Sequence, residues 1–194
     1  MKKTLENLTK AFVGESQARN RYAMFASVAR KEWFLQIADI FEQTAEQEKE
    51  HASRFYKMIQ IVKQKEKYTK AEVMIEWWAF TKIWTTTENL NYAVEGETFE
   101  YSKLYPEFAK IARQEWYPDL AARILSIAVA ETHHAERYKK LLKEVKEKSV
   151  YKKKVAVEWM CTKCGYIHKG KSALEKCPSC GHDKTYAVVK CEKY

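Results

Sequence analysis

One metal-binding pattern occurs twice in this chain, as Glu48-x-x-His51 and as Glu131-x-x-His134, and the two copies lie 83 residues apart. Both copies fall in stretches with helical periodicity, and residues three apart on a helix project from the same face. A carboxylate and an imidazole placed in this way can bind one metal ion together. Two such helices predict a dinuclear metal site inside a bundle of four helices.

Further acidic residues precede each copy and can contribute to the same site. Glu15 lies 33 residues before Glu48. Glu97 lies 34 residues before Glu131, and Glu100 shares a helix face with Glu97. Because an unpaired buried carboxylate costs several kcal/mol, such a cluster must be neutralised. Two divalent ions nearly balance these five carboxylates, and the ligand set suits iron or manganese better than copper(I).

The helical part of the chain also reads as an internal repeat. Residues 29–34 and residues 112–117 have similar sequences, again at an offset of 83, and Tyr22 matches Tyr105 at that offset. Glu15 and Glu97 are offset by 82 instead, so the second half contains one extra residue after its acid. We therefore predict two helical hairpins about a pseudo-twofold axis, with the metal ligands facing that axis.

The repeat is asymmetric at one acidic position. Glu100 in the second half corresponds to Ala18 in the first half, so only one half supplies this carboxylate. The two metal ions of the predicted site should therefore be chemically different.

The helical pattern predicts a mostly α fold with a long connection between its two halves. The predicted helices run from about residue 4 to 30, 34 to 62, 87 to 105, 106 to 115 and 118 to 146. Pro106 is expected to break or kink the third helix, and Pro118 suits a first helical turn. Within the connection, residues 63–85, Thr69 followed by Glu72 resembles a capping box and predicts a separate helix.

Four cysteines after the helical part form a second metal-binding pattern. Cys161 and Cys164, then Cys177 and Cys180, give C-x2-C-x12-C-x2-C, with a glycine after each pair. Four thiolates make a tetrahedral site for zinc or for a single iron, and the spacing alone favours zinc. About 40 residues bury too little apolar surface to fold alone, so the metal should help to hold this part together. Cys191 is left over and is not expected to bind metal.

Domain boundaries follow from this change in pattern. We predict a four-helix bundle over residues 1–148, a charged linker over 149–154 and a small β/loop metal-binding domain over 155–194. The net charge of +9 belongs to residues 139–194, where 15 lysines face six acids. This excess indicates a solvated surface or a docking face for an acidic partner. It does not indicate nucleic-acid binding, since the region has no arginine.

The sequence also predicts the cellular compartment of the protein and whether that compartment is reducing. No apolar run is long enough to span a membrane, and the N-terminus has no apolar stretch of signal-peptide length. Paired C-x-x-C spacing with an odd cysteine count indicates metal binding in a reducing compartment. We therefore expect a cytoplasmic protein with no membrane partner.

The chain resembles the rubrerythrins over nearly its whole length. The motifs that carry the resemblance are Gly14-Glu-Ser-Gln-Ala-Arg-Asn-Arg-Tyr22, Glu48-x-x-His51, Gly96-Glu-Thr-Phe-Glu100, Tyr105-Pro-Glu-Phe108, Glu131-x-x-His134 and the two cysteine pairs with their glycines. The resemblance implies a ferritin-like di-iron bundle followed by a rubredoxin-like domain. It also shifts the choice at the four cysteines from zinc to iron, with zinc possible by substitution.

The resemblance further implies roles for individual residues. It implies that Glu15, Glu97 and Glu100 are terminal ligands, that Glu48 and Glu131 bridge, and that His51 and His134 complete the site. It implies that one iron moves between Glu100 and His51 on redox change. Tyr22 and Tyr105 match tyrosines that lie next to the ligands.

The implied activity is a non-haem di-iron peroxidase that reduces hydrogen peroxide to water in oxidative-stress defence. Electrons would come from a rubredoxin or an NAD(P)H-dependent reductase through the four-cysteine iron, in a homo-oligomer, typically a head-to-tail dimer. Two alternatives remain open: an oxygen-using di-iron ferroxidase, and a metal sensor with a zinc ribbon. In one departure from the family, Trp33 and Trp116 replace the glycine that commonly caps the helix before each inter-helix turn. These turns are therefore expected to end their helices differently, and the two tryptophans to pack at an interface.

Overall fold

The computed structural model describes residues 1–192, with a helical bundle followed by a small three-stranded sheet. The helices are α1 (Lys3–Lys31), α2 (Leu35–Lys65), α3 (Thr86–Phe99), α4 (Tyr105–Gln114) and α5 (Pro118–Lys146), with a π-helical segment at Glu100–Leu104 between α3 and α4. The strands are β1 (Lys152–Cys161), β2 (Ile167–Ser172) and β3 (Ala187–Val189). The predicted mostly α fold with a small metal-binding domain at the C-terminal end is confirmed. No helix within residues 1–192 is both long and apolar enough to cross a membrane.

Two apolar clusters fill the bundle on either side of its acidic centre. One cluster includes Leu8, Phe55 and Tyr105, and the other includes Phe25 and Phe41, all of them fully buried. Helix α1 packs on α2, and α5 packs on α3 and α4, as two hairpins would. Burial of these large side chains offsets the cost of enclosing carboxylates between the clusters.

The connection between α2 and α3 corrects one prediction. The helix predicted from the Thr69 pattern is wrong, since residues 69–85 contain no helix. The connection is rich in aromatic and β-branched residues, which favour extended backbone. The Gln17 side chain accepts a hydrogen bond from Phe80 N and donates one to the Trp78 carbonyl, which satisfies backbone groups without a helix. The capping box that does form is at Thr85, whose side chain accepts a hydrogen bond from Glu88 N.

The one-residue slip in the repeat has a structural explanation. Glu15 and Tyr22 are seven residues apart in the regular helix α1, whereas Glu97 and Tyr105 are eight apart. The π-helical turn at residues 100–104 accommodates the extra residue, since it holds more residues than an α-helical turn. The break predicted at Pro106 does not occur: the backbone is helical throughout residues 86–114, and Pro106 lies in the first turn of α4, where its missing N–H is tolerated.

The ends of the helices correct a second expectation. The turns after α1 and α4 do not end their helices differently, because Trp33 and Trp116 themselves adopt left-handed backbone, with φ of 66° and 68°. Phe34 N bonds to the Ala29 carbonyl at 2.9 Å, and Trp33 N bonds to Arg30, the pattern of a Schellman cap. The chain thus uses the cap that glycine favours, but with bulky residues in it. Both tryptophans are largely exposed, and their predicted packing at an interface stays a prediction.

A stability prediction follows from the same caps. Lys67 is exposed and also ends its helix with a positive φ of 51°. We expect Lys67→Gly to raise the free energy of unfolding by about 0.5–1 kcal/mol, because glycine adopts this conformation without steric cost. The same change at Lys57, an exposed position inside α2, should lower it by about 1 kcal/mol. Denaturant titration of both variants measures the two changes in the free energy of unfolding. Changes of the same sign would contradict the prediction.

Candidate metal centres

The centre of the bundle contains two overlapping groups of metal-ligand atoms. Glu15, Glu48, His51 and Glu131 form one group, and Glu48, Glu97, Glu131 and His134 form the other. Within each group the ligand atoms lie within 4.8 Å of one another. The carboxylates are at most 1% exposed. The structure thus brings together six of the seven residues that the sequence predicted for this site.

The two shared carboxylates each face both histidines. Glu131 Oε1 lies 2.8 Å from His51 Nδ1, and its Oε2 lies 2.8 Å from His134 Nδ1. Glu48 is arranged in the same way, with Oε2 at 2.9 Å from His51 and Oε1 at 3.1 Å from His134. Each of these carboxylates therefore offers one oxygen to each side of the site. This geometry is suited to bridging two metal ions.

Hydrogen bonds among the polar atoms at this centre leave several of them unsatisfied, and a pair of bound cations would satisfy them. Glu15, Glu48, Glu97, Glu131 and His134 all have buried side-chain atoms without a properly oriented hydrogen bond, although several of these atoms are close together. Buried polar atoms are normally satisfied, so a cluster of unsatisfied ones indicates missing partners. Two divalent iron ions would provide those partners for carboxylate and imidazole ligands.

Burial and mutual repulsion perturb the titration of the site without metal. Burial, then the nearby charge of Glu48, raises the pKa of Glu97 to about 8. Burial also raises the pKa of Glu48, but contacts with His134 and His51 outweigh it and lower that pKa to about 2. Burial disfavours the imidazolium of His51, yet contacts with Glu131 and Glu48 raise its pKa to about 10. Without metal, protons on the histidines therefore supply part of the balancing charge.

The two predicted tyrosines lie directly against the outer carboxylates. Tyr22 donates to Glu97, and Tyr105 donates to Glu15. Each bond joins one half of the repeat to the other, as the pseudo-twofold axis requires. Burial, followed by the neighbouring carboxylate, raises the pKa of both phenols well above 10, so both stay protonated. Each tyrosine can therefore orient a ligand by a hydrogen bond that is retained at neutral pH.

His134 has a hydrogen-bonding partner that the sequence analysis did not predict. Its Nε2 lies 3.0 Å from Gln47 Oε1, and Arg137 also donates to that oxygen. Since the amide oxygen accepts, Nε2 carries the proton and Nδ1 faces the carboxylates. Gln47 is not adjacent to His134 in the chain, so helix periodicity alone could not have paired them.

Glu100 is the predicted ligand that stands apart. It belongs to neither group of clustered ligand atoms within residues 1–192. It lies on the π-helical turn and borders a cavity of about 220 Å³ that is also lined by Arg21, Trp78 and Tyr92. Burial, then repulsion from Glu97, raises the pKa of Glu100 well above its usual range. The structure therefore has His51 in the cluster and Glu100 outside it, and the role of Glu100 as a metal ligand stays a prediction.

The four predicted cysteines of the small domain converge on one point. Cys161 Sγ lies 3.7 Å from Cys180 Sγ, and Cys164 Sγ lies 3.6 Å from Cys177 Sγ. These distances are too long for disulfides. They match the edge of a tetrahedron with metal–sulfur bonds of about 2.3 Å. The four thiols therefore fit a single tetrahedral ion, either iron or zinc.

Glycine turns and backbone N–H groups complete the four-cysteine site. Gly165 and Gly181 have φ of 75° and 77°, as the sequence predicted for a tight turn after each cysteine pair. The strands have the order β2-β1-β3, and β1 delivers Cys161 to the site. The backbone N–H of Tyr166 lowers the pKa of Cys164 to about 6, which favours a thiolate ligand.

A di-iron carboxylate bundle joined to a rubredoxin-like domain is the class of protein that this fold and these two sites define. The family described as Rubrerythrin matches residues 6–142, and the rubrerythrin rubredoxin-like domain matches residues 159–186. The chain belongs to the rubrerythrin family. Its two sites match the iron cofactors of that family, and the predicted fold and cofactors are therefore confirmed.

Named relatives are similar over almost the entire chain. The chain is 47% identical to a rubrerythrin from Clostridium perfringens over 192 residues, which cover 99% of this chain and 96% of the relative. It is 42% identical to a rubrerythrin from Nitratidesulfovibrio vulgaris over 184 residues, covering 95% and 92%. Among solved structures, fully reduced nigerythrin superposes with a TM-score of 0.63 at 31% identity, covering 96% of this chain and 86% of that one.

Proposed function

We propose that this protein is a peroxidase that reduces hydrogen peroxide to water at the bundle centre, with electrons entering through the four-cysteine site. The observation that carries the proposal is the presence of both sites in one chain. An oxygen-using ferroxidase needs only the dinuclear centre, whereas a four-cysteine iron is an electron carrier. The rubredoxin-like match also supports iron over a zinc ribbon at this position.

The proposed ligand roles follow the contacts at the centre. Glu48 and Glu131 would bridge two bound iron ions, Glu15 and Glu97 would be terminal ligands, and His51 and His134 would supply the nitrogen ligands. When bound in the ferrous state, the two ions would supply one electron each. The residues supply a rigid frame, since Tyr22 and Tyr105 hold the terminal carboxylates from behind. A preorganised frame lowers the cost of reaching the reactive geometry.

Protons are the second requirement, because reduction of one peroxide consumes two electrons and two protons and releases two water molecules. Glu100 is suited to deliver them. Its carboxyl group has a pKa raised by burial and by the nearby charge of Glu97, and it lines the 220 Å³ cavity, which is large enough for peroxide or water. We propose that Glu100 carries protons from this cavity and that, with iron bound, it would exchange with His51 as a ligand when the charge at the centre changes.

The distance between the two sites within one chain favours electron delivery from a second chain. The small domain contacts the end of the bundle, where Tyr151 donates to the Trp33 carbonyl at 2.8 Å. The α1 residues from Glu15 to Lys31 separate this end from the dinuclear centre by about 24 Å. A shorter path needs the four-cysteine site of another subunit, so we propose a head-to-tail dimer. The five free cysteines suit a reducing compartment, and we place the protein in the cytoplasm.

The test is rapid mixing of the fully reduced, iron-loaded protein with either hydrogen peroxide or oxygen. We expect peroxide to oxidise the dinuclear centre stoichiometrically and about 10²-fold faster than oxygen does, a difference of roughly 3 kcal/mol in activation free energy. Equal rates, or a faster reaction with oxygen, would favour the ferroxidase and exclude the peroxidase.

Cys164→Ser provides the matched control for the electron path. The variant should keep the first oxidation of the dinuclear centre by peroxide, because Cys164 lies in the rubredoxin-like domain. It should lose repeated turnover with an added reductant protein. Full turnover in this variant would show that electrons bypass the four-cysteine site.

A further inference from the structure

The two histidines of the dinuclear centre are held differently, although the repeat places them in equivalent positions. His134 Nε2 is bonded to Gln47, as described above. His51 Nε2 has no hydrogen bond to any residue in the described range 1–192. His51 is also more exposed, at 15% of its side-chain surface against 3% for His134. The structure therefore anchors one imidazole from behind and leaves the other unanchored.

The repeat explains this difference at one pair of positions. His51 and His134 are related by the offset of 83, and the same offset relates Gln47 to Ala130. Gln47 on α2 reaches across to His134 on α5. By the pseudo-twofold axis, residue 130 on α5 occupies the place from which a side chain would reach His51. Alanine has no polar group there, so His51 has no counterpart of the Gln47 amide.

The residues around Gln47 follow the same pattern. Arg137 donates to Gln47 and also to Gln43 and Thr44, which ties the Gln47 oxygen into a network on α2. The positions related to Gln43 and Thr44 by the offset are Ser126 and Ile127, and Arg54, the counterpart of Arg137, is exposed. His51 therefore lacks the whole network that surrounds His134. Ala130, in place of a glutamine, accounts only for the missing group nearest to the ring.

We propose that Gln47 is a positioning residue that fixes His134, and that Ala130 is the position that leaves His51 free to exchange with Glu100. The inference rests on the proposed function, because the exchange belongs to that mechanism. A hydrogen bond to the outer nitrogen of a metal-bound imidazole fixes its tautomer and its ring orientation. Without such a bond, the His51 ring can adjust its orientation as it becomes, or ceases to be, a ligand in the exchange with Glu100. The asymmetry of the site thus has two sources, the extra carboxylate Glu100 and the missing amide at residue 130.

Four versions of the full-length protein test this inference: the native chain, Gln47→Met, Ala130→Gln and Ala130→Met. Methionine has nearly the size of glutamine but no amide, so each methionine variant separates bulk from hydrogen bonding. The protein is labelled with ¹⁵N-histidine and loaded with zinc, which is diamagnetic. The readout is the number of imidazole Nε2–H signals that are protected from exchange with solvent.

We expect one protected signal in the native chain, from His134, and none in Gln47→Met. Ala130→Gln should give two protected signals, because His51 gains a partner, and Ala130→Met should give one. A native chain with two protected signals or with none would overturn the proposal. A single signal in Ala130→Gln would also overturn it, because residue 130 would then not face His51.

A second measurement keeps the inference separate from the proposed function. In the reduced iron-loaded protein, Ala130→Gln should be oxidised by peroxide about 10- to 100-fold more slowly than Ala130→Met, the usual range for partners of ligating histidines. If the native protein itself reacts slowly with peroxide but the signal counts are as expected, the peroxidase proposal fails and the anchoring stands. If peroxide reacts rapidly in both Ala130 variants, the proposed consequence of anchoring fails alone.

Discussion

Glu131→Gln should weaken the binding of both metal ions at the bundle centre, whereas Glu97→Gln should weaken the binding of only one. Glu131 places one oxygen 2.8 Å from each histidine Nδ1, while Glu97 approaches only His134, at 3.6 Å. An amide keeps the shape of the side chain but removes the charge and one acceptor. Removing one partner from a buried ionic site costs about 3–5 kcal/mol, so affinity should fall about 10²- to 10⁴-fold per ion.

Anaerobic titration with ferrous iron, followed by desalting and metal analysis, measures this difference. The four-cysteine site serves as an internal standard, because neither substitution touches it. We expect Glu131→Gln to retain iron only at the cysteines and Glu97→Gln to retain one ion more. Retention of that additional ion by Glu131→Gln would mean that Glu131 is a terminal ligand, and the assignment of the bridges would have to change.

Local spacing was sufficient to predict most of this site. Glu48 and His51 meet because residues three apart on any helix share a face, whatever the helix packs against. The two cysteine pairs converge for a similar reason, since each turn is closed by its own glycine. The internal repeat then gave the approximate twofold relation between the halves. These features depend on a few neighbouring residues, which is why they could be derived without the fold.

The errors arose where two local patterns compete or where the repeat is imperfect. Thr69 and Thr85 both begin a capping-box sequence, but only Thr85 begins a helix, and the connection after Thr69 instead bonds to Gln17 through Phe80 N. Trp33 adopts a left-handed conformation that its own side chain disfavours, because the turn between two packed helices requires it. The offset of 82 recorded an inserted residue, but its placement in a π-helical turn depends on the backbone around Pro106.

Partners across the bundle were the least accessible to sequence reasoning. Gln47 looks like an ordinary polar residue on α2, and its contact with His134 depends on how α2 and α5 face each other. Glu100 was singled out as the asymmetric acid, and spacing placed it on the same face as Glu97. It lines the cavity and belongs to neither group of clustered ligand atoms within residues 1–192. Residues three apart on a helix share a face, but spacing does not determine which of them reaches the centre of the bundle.

Metal uptake by the dinuclear centre should release at least two protons at neutral pH. Burial opposes protonation of both imidazoles, but the carboxylate contacts dominate and raise the pKa of His51 to about 10 and that of His134 to about 12. A raised pKa means that each imidazole carries an extra proton at pH 7 in the metal-free protein. A metal ion at Nδ1 must displace that proton. The combined affinity for two ions should therefore fall at least about 100-fold for each unit that the pH is lowered.

A weakly buffered solution with a pH indicator measures the protons released when ferrous iron is added to protein whose four-cysteine site is already filled with zinc. Glu97, with a pKa of about 8, adds to the release near pH 7 and stops contributing as the pH rises through that value. The histidine contribution should persist above pH 8, so the release should decline by about one proton. His51→Gln should release one proton fewer than the native chain at every pH in this range. Equal release from the two proteins would mean that His51 is neutral before metal binds.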